Sequence, residues 1–135
     1  MNGVHVRLRV GSERYAVPIE NVLEVAELGE LSKLPGAGAA VLGVRNLRGH
    51  VLPVFDLARV LTVAGDATAL RMLVAEHEGR KAALAVDEVI DVSELIGDDE
   101  HTEAEHLSGA VLEDGHLVGV IDVEGLFASL AGNTA

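Results

Sequence analysis

The residues best suited to binding chemistry lie in the turn of a predicted β-hairpin. The apolar runs 41–47 and 51–55 are joined through the sequence Asn-Leu-Arg-Gly, whose polar side chains are Asn46 and Arg48. Its glycine permits the positive φ that tight hairpin turns require. An amide and a guanidinium offer hydrogen bonds and an ionic contact to a protein surface. The pattern predicts a recognition turn, and the alternative interpretation is that Arg48 is a solvated turn residue.

Other chemically capable residues do not form a recognisable reactive site. The pair Gly36-x-Gly38 lacks the third glycine and the lysine of phosphate-binding loops. His101 and His106 lie among five acidic residues, yet a solvated loop is a poor preformed metal site. The sequence contains neither a nucleophile-elbow motif nor a His-Glu-x-x-His motif. We therefore predict a non-enzymatic protein that needs neither a metal nor another cofactor.

The composition restricts the compartment and the class of partner. A net charge of -12 repels phosphate backbones, and aromatic residues, at 2%, offer few rings on which bases could stack. The absence of cysteine fits a reducing compartment. The longest uncharged run, residues 34–44, is well short of the roughly 18 residues that a membrane span needs. We predict a cytoplasmic protein that binds other proteins, with no direct membrane insertion and no nucleic acid.

Alternation of apolar and polar residues predicts strands in the first half of the chain. Residues 4–10 alternate strictly, which places His5, Arg7 and Arg9 on the expected wet face of a strand. The further elements expected in this half are a strand ending near Pro18, a one-turn helical corner over 19–23, a strand over 25–28, the hairpin described above and a short helix capped by Asp56.

The second half shows the same kinds of signal. Asp114-Gly115 is a strong tight-turn signal, because both residue types accept positive φ. The elements expected here are strands over 70–77, 81–86, 107–112 and 116–121, a helical corner over 86–90, an acidic loop over 97–106 and a helix capped by Asp122.

An internal repeat determines the predicted architecture. Residues 17–25 match residues 84–92 at an offset of 67, and residues 43–61 match residues 109–127 at an offset of 66. A unit of this length, with hairpin signals and short helical corners, suggests a small barrel of about five strands. Because so small a unit is marginally stable alone, two of them should pack together. We therefore predict a mostly β fold of two pseudo-repeated five-stranded β-barrels with a short C-terminal helix.

The repeat also predicts how the single domain, 1–135, is divided. The first barrel is expected over about 11–65 and the second over about 66–132, with strand 4–10 shared with or completing the second. The seam between the barrels should form a groove. The candidates to line it are valines related by the repeat, namely Val22, Val25, Val89 and Val92.

The order of these signals resembles the chemotaxis coupling protein family, that of the CheW-like domains. The most specific part is the Asn-Leu-Arg-Gly turn followed by an apolar-Pro-apolar strand and Asp-Leu. The matching stretches are 15–25, 34–37, 43–57 and 85–89, within a likeness that spans about 4–130. The resemblance implies two intertwined SH3-like β-barrels. It also implies a non-catalytic adaptor that bridges the cytoplasmic tips of chemoreceptors to the regulatory domain of a histidine kinase, recruited to membrane-associated receptor arrays.

The resemblance also implies two sets of partner-binding residues. The receptor-binding set is Val22, Glu24, Val25, Asn46, Arg48, Val89 and Val92. The kinase-binding set is Leu31 and Val51. Glu24 and Arg48 are further expected to be able to pair with each other. Two alternatives stay open: a CheW-like adaptor of another two-component sensory pathway, and a small-barrel module that binds a ligand or a nucleic acid.

Overall fold

Strands make up most of the described chain. The computed structural model describes residues 3–65 and 68–131. The strands are β1 (Val4–Val10), β2 (Glu13–Pro18), β3 (Val22–Glu27), β4 (Val41–Leu47), β5 (His50–Asp56), β6 (Arg71–His77), β7 (Arg80–Val86), β8 (Glu88–Glu94), β9 (Asp98–Glu100), β10 (Leu107–Glu113) and β11 (His116–Ile121). The helices are α1 (Leu57–Val60) and α2 (Val123–Leu130). The predicted mostly β fold with a short C-terminal helix is confirmed.

The strands form two sheets that exchange hairpins between the two halves of the chain. A five-stranded sheet has the order β3-β6-β7-β5-β4, and a six-stranded sheet has the order β8-β1-β2-β11-β10-β9. We name them the first barrel and the second barrel. Hairpin β6–β7 thus lies in the first barrel, and hairpin β1–β2 lies in the second. Each exchanged hairpin joins its host through a parallel pairing, β5 with β7 and β11 with β2.

The sheet order corrects the predicted division of the chain at residues 65 and 66. Strands of the first barrel come from 22–86, and those of the second come from 4–18 and 88–121. Strand 4–10 lies between β8 and β2 in the second barrel. The sequence offsets identify the repeated units but do not reveal which barrel receives each hairpin, because the apolar residues of a hairpin are buried in either case.

The repeat extends to details of backbone geometry. The pairing register shifts next to Gly43 in the hairpin β4–β5 and next to Gly109 in the hairpin β10–β11. Asp56 caps α1 by accepting the Ala58 N–H at 3.2 Å, and Asp122 caps α2 by accepting the Gly125 N–H at 3.2 Å. The two helices therefore begin for the same reason, an aspartate at the N-cap.

The apolar residues pack in three clusters, one between the sheets and one inside each barrel. The intersheet cluster includes Leu8, Phe55, Leu84 and Leu126; the first-barrel cluster includes Leu52, Val54, Met72 and Val74; the second-barrel cluster includes Ala16, Val111, Val118 and Val120. Strands β6 and β7 contribute to both the intersheet and first-barrel clusters, so they are buried on both faces. This explains their nearly continuous apolar runs.

The predicted wet face of β1 is wrong at two positions. His5 is 3% exposed, and the side chain of Arg7 is 19% exposed. The apolar residues of β1 face the intersheet cluster, so the opposite face of the strand lies against the rest of the second barrel. The sheet curves around an interior of its own, so the face of β1 that carries the polar residues is also shielded from water.

Both predicted corners differ from the structure. The first is a 3₁₀ turn at Ile19–Asn21, so β3 begins at Val22 rather than at residue 25. The second is absent from the described residues, because β7 ends at Val86 and β8 begins at Glu88, which leaves one residue between them. Asp87 fixes that connection by accepting the N–H groups of Gly11 at 3.1 Å and Thr68 at 2.8 Å.

The acidic segment over 97–106 is only partly a loop. Its residues Asp98–Glu100 form β9, which pairs with β10 at the edge of the second barrel. Because the backbone groups of β9 find partners in β10, three exposed acidic residues adopt strand geometry despite their low β-propensity.

Candidate partner-binding surfaces

The recognition turn predicted from the sequence is a two-residue hairpin turn. Arg48 and Gly49 have φ values of 53° and 83°, and Leu47 pairs with His50 across the turn. The side-chain oxygen of Asn46 accepts the Gly49 N–H at 3.0 Å. Asn46 therefore stabilises the turn, and its receptor contact stays a prediction.

Arg48 and Glu24 form the ion pair that the sequence suggested. Both terminal nitrogens of Arg48 donate to the carboxylate, Nη2 to Oε1 at 3.0 Å and Nη1 to Oε2. The hydrogen bonds and the negative charge of Glu24 raise the pKa of Arg48 above its ordinary value. The Arg48 side chain is 73% exposed, so the pair adds little to stability and its guanidinium stays accessible to a partner.

A groove of about 260 Å³ lies directly beneath this pair. Its apolar lining consists of Leu23, Leu47, Leu52 and Val74, and its polar lining consists of Glu24, Arg48, His50 and Lys81. Val74 and Lys81 belong to the exchanged hairpin β6–β7, so both halves of the chain build the groove. A few polar groups around an apolar depression are typical of a binding site for a side chain of another protein.

The four seam valines lie on the intersheet face of the two edge strands β3 and β8. Val25 pairs with Leu73, Val22 with Ala75, Val89 with Leu8 and Val92 with Val6, and each of these partners belongs to the intersheet cluster. Residues paired across neighbouring strands share a face of the sheet. The predicted placement of the valines at the seam is therefore consistent with the register.

The seam contains an open depression that brings two of these valines together. It has a volume of about 640 Å³ and is lined by Val25 and Val89 together with Leu70. Val25 is 41% exposed and Leu70 is 63% exposed. Charged residues complete the lining, namely Arg9, Arg71, Asp87 and Glu88. Val22 and Val92 do not line this depression.

The two predicted kinase-binding residues differ in exposure. Val51 is 64% exposed on β5, whereas Leu31 is partly buried against the first-barrel cluster. Leu31 lies in the connection between β3 and β4. The adjacent Ser32 exchanges both backbone hydrogen bonds with Val44, at 3.0 and 2.7 Å. Leu31 is therefore held against β4.

Arg45 stabilises the connection between β3 and β4, a role that the sequence did not predict. Its Nη1 donates to the carbonyl oxygens of Glu27 at 2.6 Å and Leu28 at 2.7 Å. The guanidinium lies so close to Gly29 that a Cβ there would be 2.9 Å from Nη1. The contact of Arg45 with a backbone segment 17 residues away carries no sequence signal.

Arg7 and Glu113 form a second ion pair that the sequence did not reveal. Nη2 of Arg7 donates to Oε2 of Glu113 at 2.7 Å, and Nη1 donates to Oε1. The pair sits at the end of the second barrel, where the Glu113 side chain is 10% exposed. Hydrogen bonding from Arg7 holds the pKa of Glu113 below its ordinary value, although burial opposes that shift. The same hydrogen bond raises the pKa of Arg7.

The described residues give no support to the other kinds of site weighed from the sequence. Over 3–65 and 68–131, no group of three or more His, Cys, Asp or Glu side chains is arranged to hold a metal ion. Within the same ranges, no helix is both long enough and apolar enough to cross a membrane.

The fold and these surfaces define a double-barrel module built to bind proteins. Residues 5–131 match the sequence profile described as the CheW-like domain, and the chain belongs to this family. It is 37% identical over 120 residues to protein FrzA of Myxococcus xanthus, covering 80% of this chain and 73% of that protein. It is 29% identical over 140 residues to the probable chemotaxis protein CheW of Rhizobium etli, covering 96% and 90%.

A solved structure shares the fold. The crystal structure of the scaffolding protein TtCheW from Thermoanaerobacter tengcongensis superposes with a TM-score of 0.82 at 26% identity, covering 94% of this chain and 88% of that one. A segment of the chemotaxis protein CheA of Klebsiella aerogenes is also 27% identical over 126 residues, which cover 88% of this chain and 19% of that protein. The family resemblance stated from the sequence is confirmed.

Proposed function

We propose that this protein is a non-enzymatic adaptor that couples the cytoplasmic tips of chemoreceptors to a chemotaxis histidine kinase. The observation that carries the proposal is the double barrel itself, shared along nearly its whole length with a scaffolding protein. Relatives named chemotaxis protein CheW support the pathway. In this role the protein works in the cytoplasm, at membrane-associated receptor arrays.

The receptor would be bound by the surface that includes the Glu24–Arg48 pair and the seam. The exposed Arg48 guanidinium supplies the ionic contact, and Val25 with Val89 supplies an apolar contact across the open depression. Helical partners are commonly held by an apolar groove with a polar rim. The residues assigned to this surface are Val22, Glu24, Val25, Asn46, Arg48, Val89 and Val92.

The kinase would be bound at the first barrel through Leu31 and Val51. The likeness of this chain to a segment of CheA supports the assignment, because the kinase then contains a domain of similar size and fold. Two such barrels can associate end to end through apolar residues, and Val51 is exposed enough to take part.

Arg48→Glu is the variant that tests the receptor side of the proposal. It replaces the exposed cation by a carboxylate facing Glu24, so we expect binding of a receptor cytoplasmic-tip fragment to weaken by about tenfold or more. The midpoint of thermal unfolding should move by no more than about 4 °C, because an exposed ion pair contributes only about 0 to 1 kcal/mol. Isothermal titration calorimetry and calorimetric unfolding measure the two quantities.

Lys33→Glu makes the same change of charge at an exposed position outside the proposed surface. It should bind the receptor fragment as the parent does. Unchanged binding by Arg48→Glu contradicts the receptor assignment. A parallel loss of binding and of thermal stability means that Arg48 has a structural role instead.

A further inference from the structure

The internal repeat relates the two barrels position by position, but different side chains occupy the corresponding positions at their ends. In the first barrel, Leu47 and Val74 line the apolar groove beneath Arg48. The offsets of 66 and 67 place Glu113 and Arg7 at those two positions of the second barrel. The strand pairings agree, because Leu47 pairs with His50 as Glu113 pairs with His116. An apolar lining in one barrel is thus replaced by an ion pair in the other.

This ion pair is surrounded by further partners. Arg7 Nε donates to Ser93 Oγ at 2.9 Å, and its Nη2 donates to the Glu94 carbonyl oxygen at 2.8 Å. Glu113 Oε2 accepts the Ile96 N–H at 2.6 Å. Each charged group therefore has hydrogen-bond partners that hold it in place at the barrel end. Such a network fills space that an apolar pair would leave open.

The charges around the two barrel ends also differ in sign. At the first, the cations Arg48 and Lys81 accompany one carboxylate, Glu24. At the second, three carboxylates accompany the cations Arg7 and Arg14. Asp91 lies 3.1 Å from Arg7 Nε, and the charges of Asp114 and Arg14 act on Arg7 and Glu113 respectively. An acidic partner segment is therefore attracted to the first end and repelled from the second.

We propose that Arg7 and Glu113 are specificity-determining residues, which close the second barrel so that an aliphatic side chain of the receptor tip, flanked by a carboxylate, enters only the first-barrel groove. This deepens the proposed function and rests on it for the identity of the partner. The occupant follows from the groove: Leu23, Leu47, Leu52 and Val74 suit an aliphatic side chain, and the rim cations suit a neighbouring carboxylate. Specificity here comes from obstructing the wrong site as well as from favouring the right one.

Two variants test this proposal, one by opening a groove in the second barrel and the other by filling the groove of the first. R7V/E113L gives the second barrel the side-chain types of the first and opens a second groove. Leu47→Trp fills the first groove from its partly exposed rim. R7M/E113Q removes the charges of the ion pair but keeps side chains of similar length, so it controls for volume. Far-UV circular dichroism and thermal unfolding of each full-length variant establish that it is folded.

The uncharged fluorophore N-phenyl-1-naphthylamine probes the grooves without a receptor. We expect the parent and R7M/E113Q to bind one equivalent, R7V/E113L to bind two, and Leu47→Trp to bind about tenfold more weakly or not at all. Amide chemical shifts should locate the first site near Leu52 and the new site near Val118. A folded R7V/E113L with one equivalent, or a folded Leu47→Trp that binds like the parent, overturns the proposal. If R7V/E113L does not fold, the Leu47→Trp result decides.

The receptor-tip fragment separates this proposal from the proposed function. We expect Leu47→Trp to weaken its binding by about tenfold or more at unchanged thermal stability. If the parent and Leu47→Trp bind the fragment equally, the groove is not the receptor site, and the proposed function stands. If the parent does not bind the fragment under conditions in which an established coupling protein does, both the proposed function and the receptor assignment are contradicted.

Discussion

Replacing Glu113 by glutamine is expected to lower the free energy of unfolding by about 3 kcal/mol. The change leaves the Arg7 guanidinium, 19% exposed, without its carboxylate partner, and the loss of one partner of a buried pair costs about 3 to 5 kcal/mol. The lower end applies because Arg7 retains some solvent contact and a second carboxylate, Asp91, at 3.1 Å. Urea unfolding at neutral pH, with an unchanged dependence on denaturant, measures the difference.

The same variant should alter the response to acid. The pKa of Glu113 in the folded protein lies below its ordinary value of 4.5, so its ionised form stabilises the fold. That contribution is complete above about pH 5 and is lost as the pH falls through the lowered folded pKa. The stability difference between the parent and Glu113→Gln should therefore shrink on acidification.

Glu30→Gln controls for the loss of a carboxylate, because Glu30 is exposed. It should leave both the stability at neutral pH and its acid dependence close to those of the parent. A difference between parent and Glu113→Gln that stays constant from pH 7 to the acid range contradicts the assigned role of the carboxylate.

Gly97→Ala is expected to cost about 3 kcal/mol of folding free energy. A Cβ at Gly97 would lie 2.0 Å from the carbonyl oxygen of Leu112 and 2.9 Å from its carbonyl carbon. Both atoms are backbone, so the clash is relieved only when the segment that leads into β9 moves away from β10. Urea unfolding measures the cost, and amide hydrogen exchange should show faster exchange where β9 and β10 pair.

Gly115→Ala is the matched control, since it separates backbone strain from steric conflict. Gly115 has a φ of 78°, and a Cβ added there meets no atom within 4 Å. Its cost should be about 1 kcal/mol, the penalty of left-handed backbone for alanine. If the two variants lose equal stability, the close approach of Gly97 to Leu112 is not what requires glycine there.

Local patterns were sufficient to predict the hairpins, the helix caps and the duplication. Two kinds of local signal illustrate this: the tight turn at Asp114-Gly115 and the helix caps Asp56 and Asp122. Each depends only on residues a few positions away, which can be read directly from the sequence. The exchange of hairpins could not be predicted in this way. It depends on which of two equivalent sheets receives β1–β2, and both would bury the same apolar residues.

The candidate site was predictable only in part for the same reason. The pairing of Glu24 with Arg48 follows from the family resemblance and is confirmed. The groove beneath them also requires Val74 and Lys81, which the exchange brings from the second half. Period-two alternation predicts a wet face for Arg7, since it distinguishes the two faces of a strand but does not show which face is open to water.

The exchanged hairpins also determine how the molecule bears mechanical load. The chain crosses between the barrels at Ile19–Asn21, between β2 and β3, and again at Asp87, between β7 and β8. Each crossing is three residues or fewer, and Asp87 at the second accepts hydrogen bonds from Gly11, between β1 and β2, and from Thr68, ahead of β6. Two short chain connections, together with the close-packed core between the sheets, resist both twisting and separation of the barrels. The two barrels of such an adaptor move as one body, so a force applied to either barrel is transmitted directly to the other.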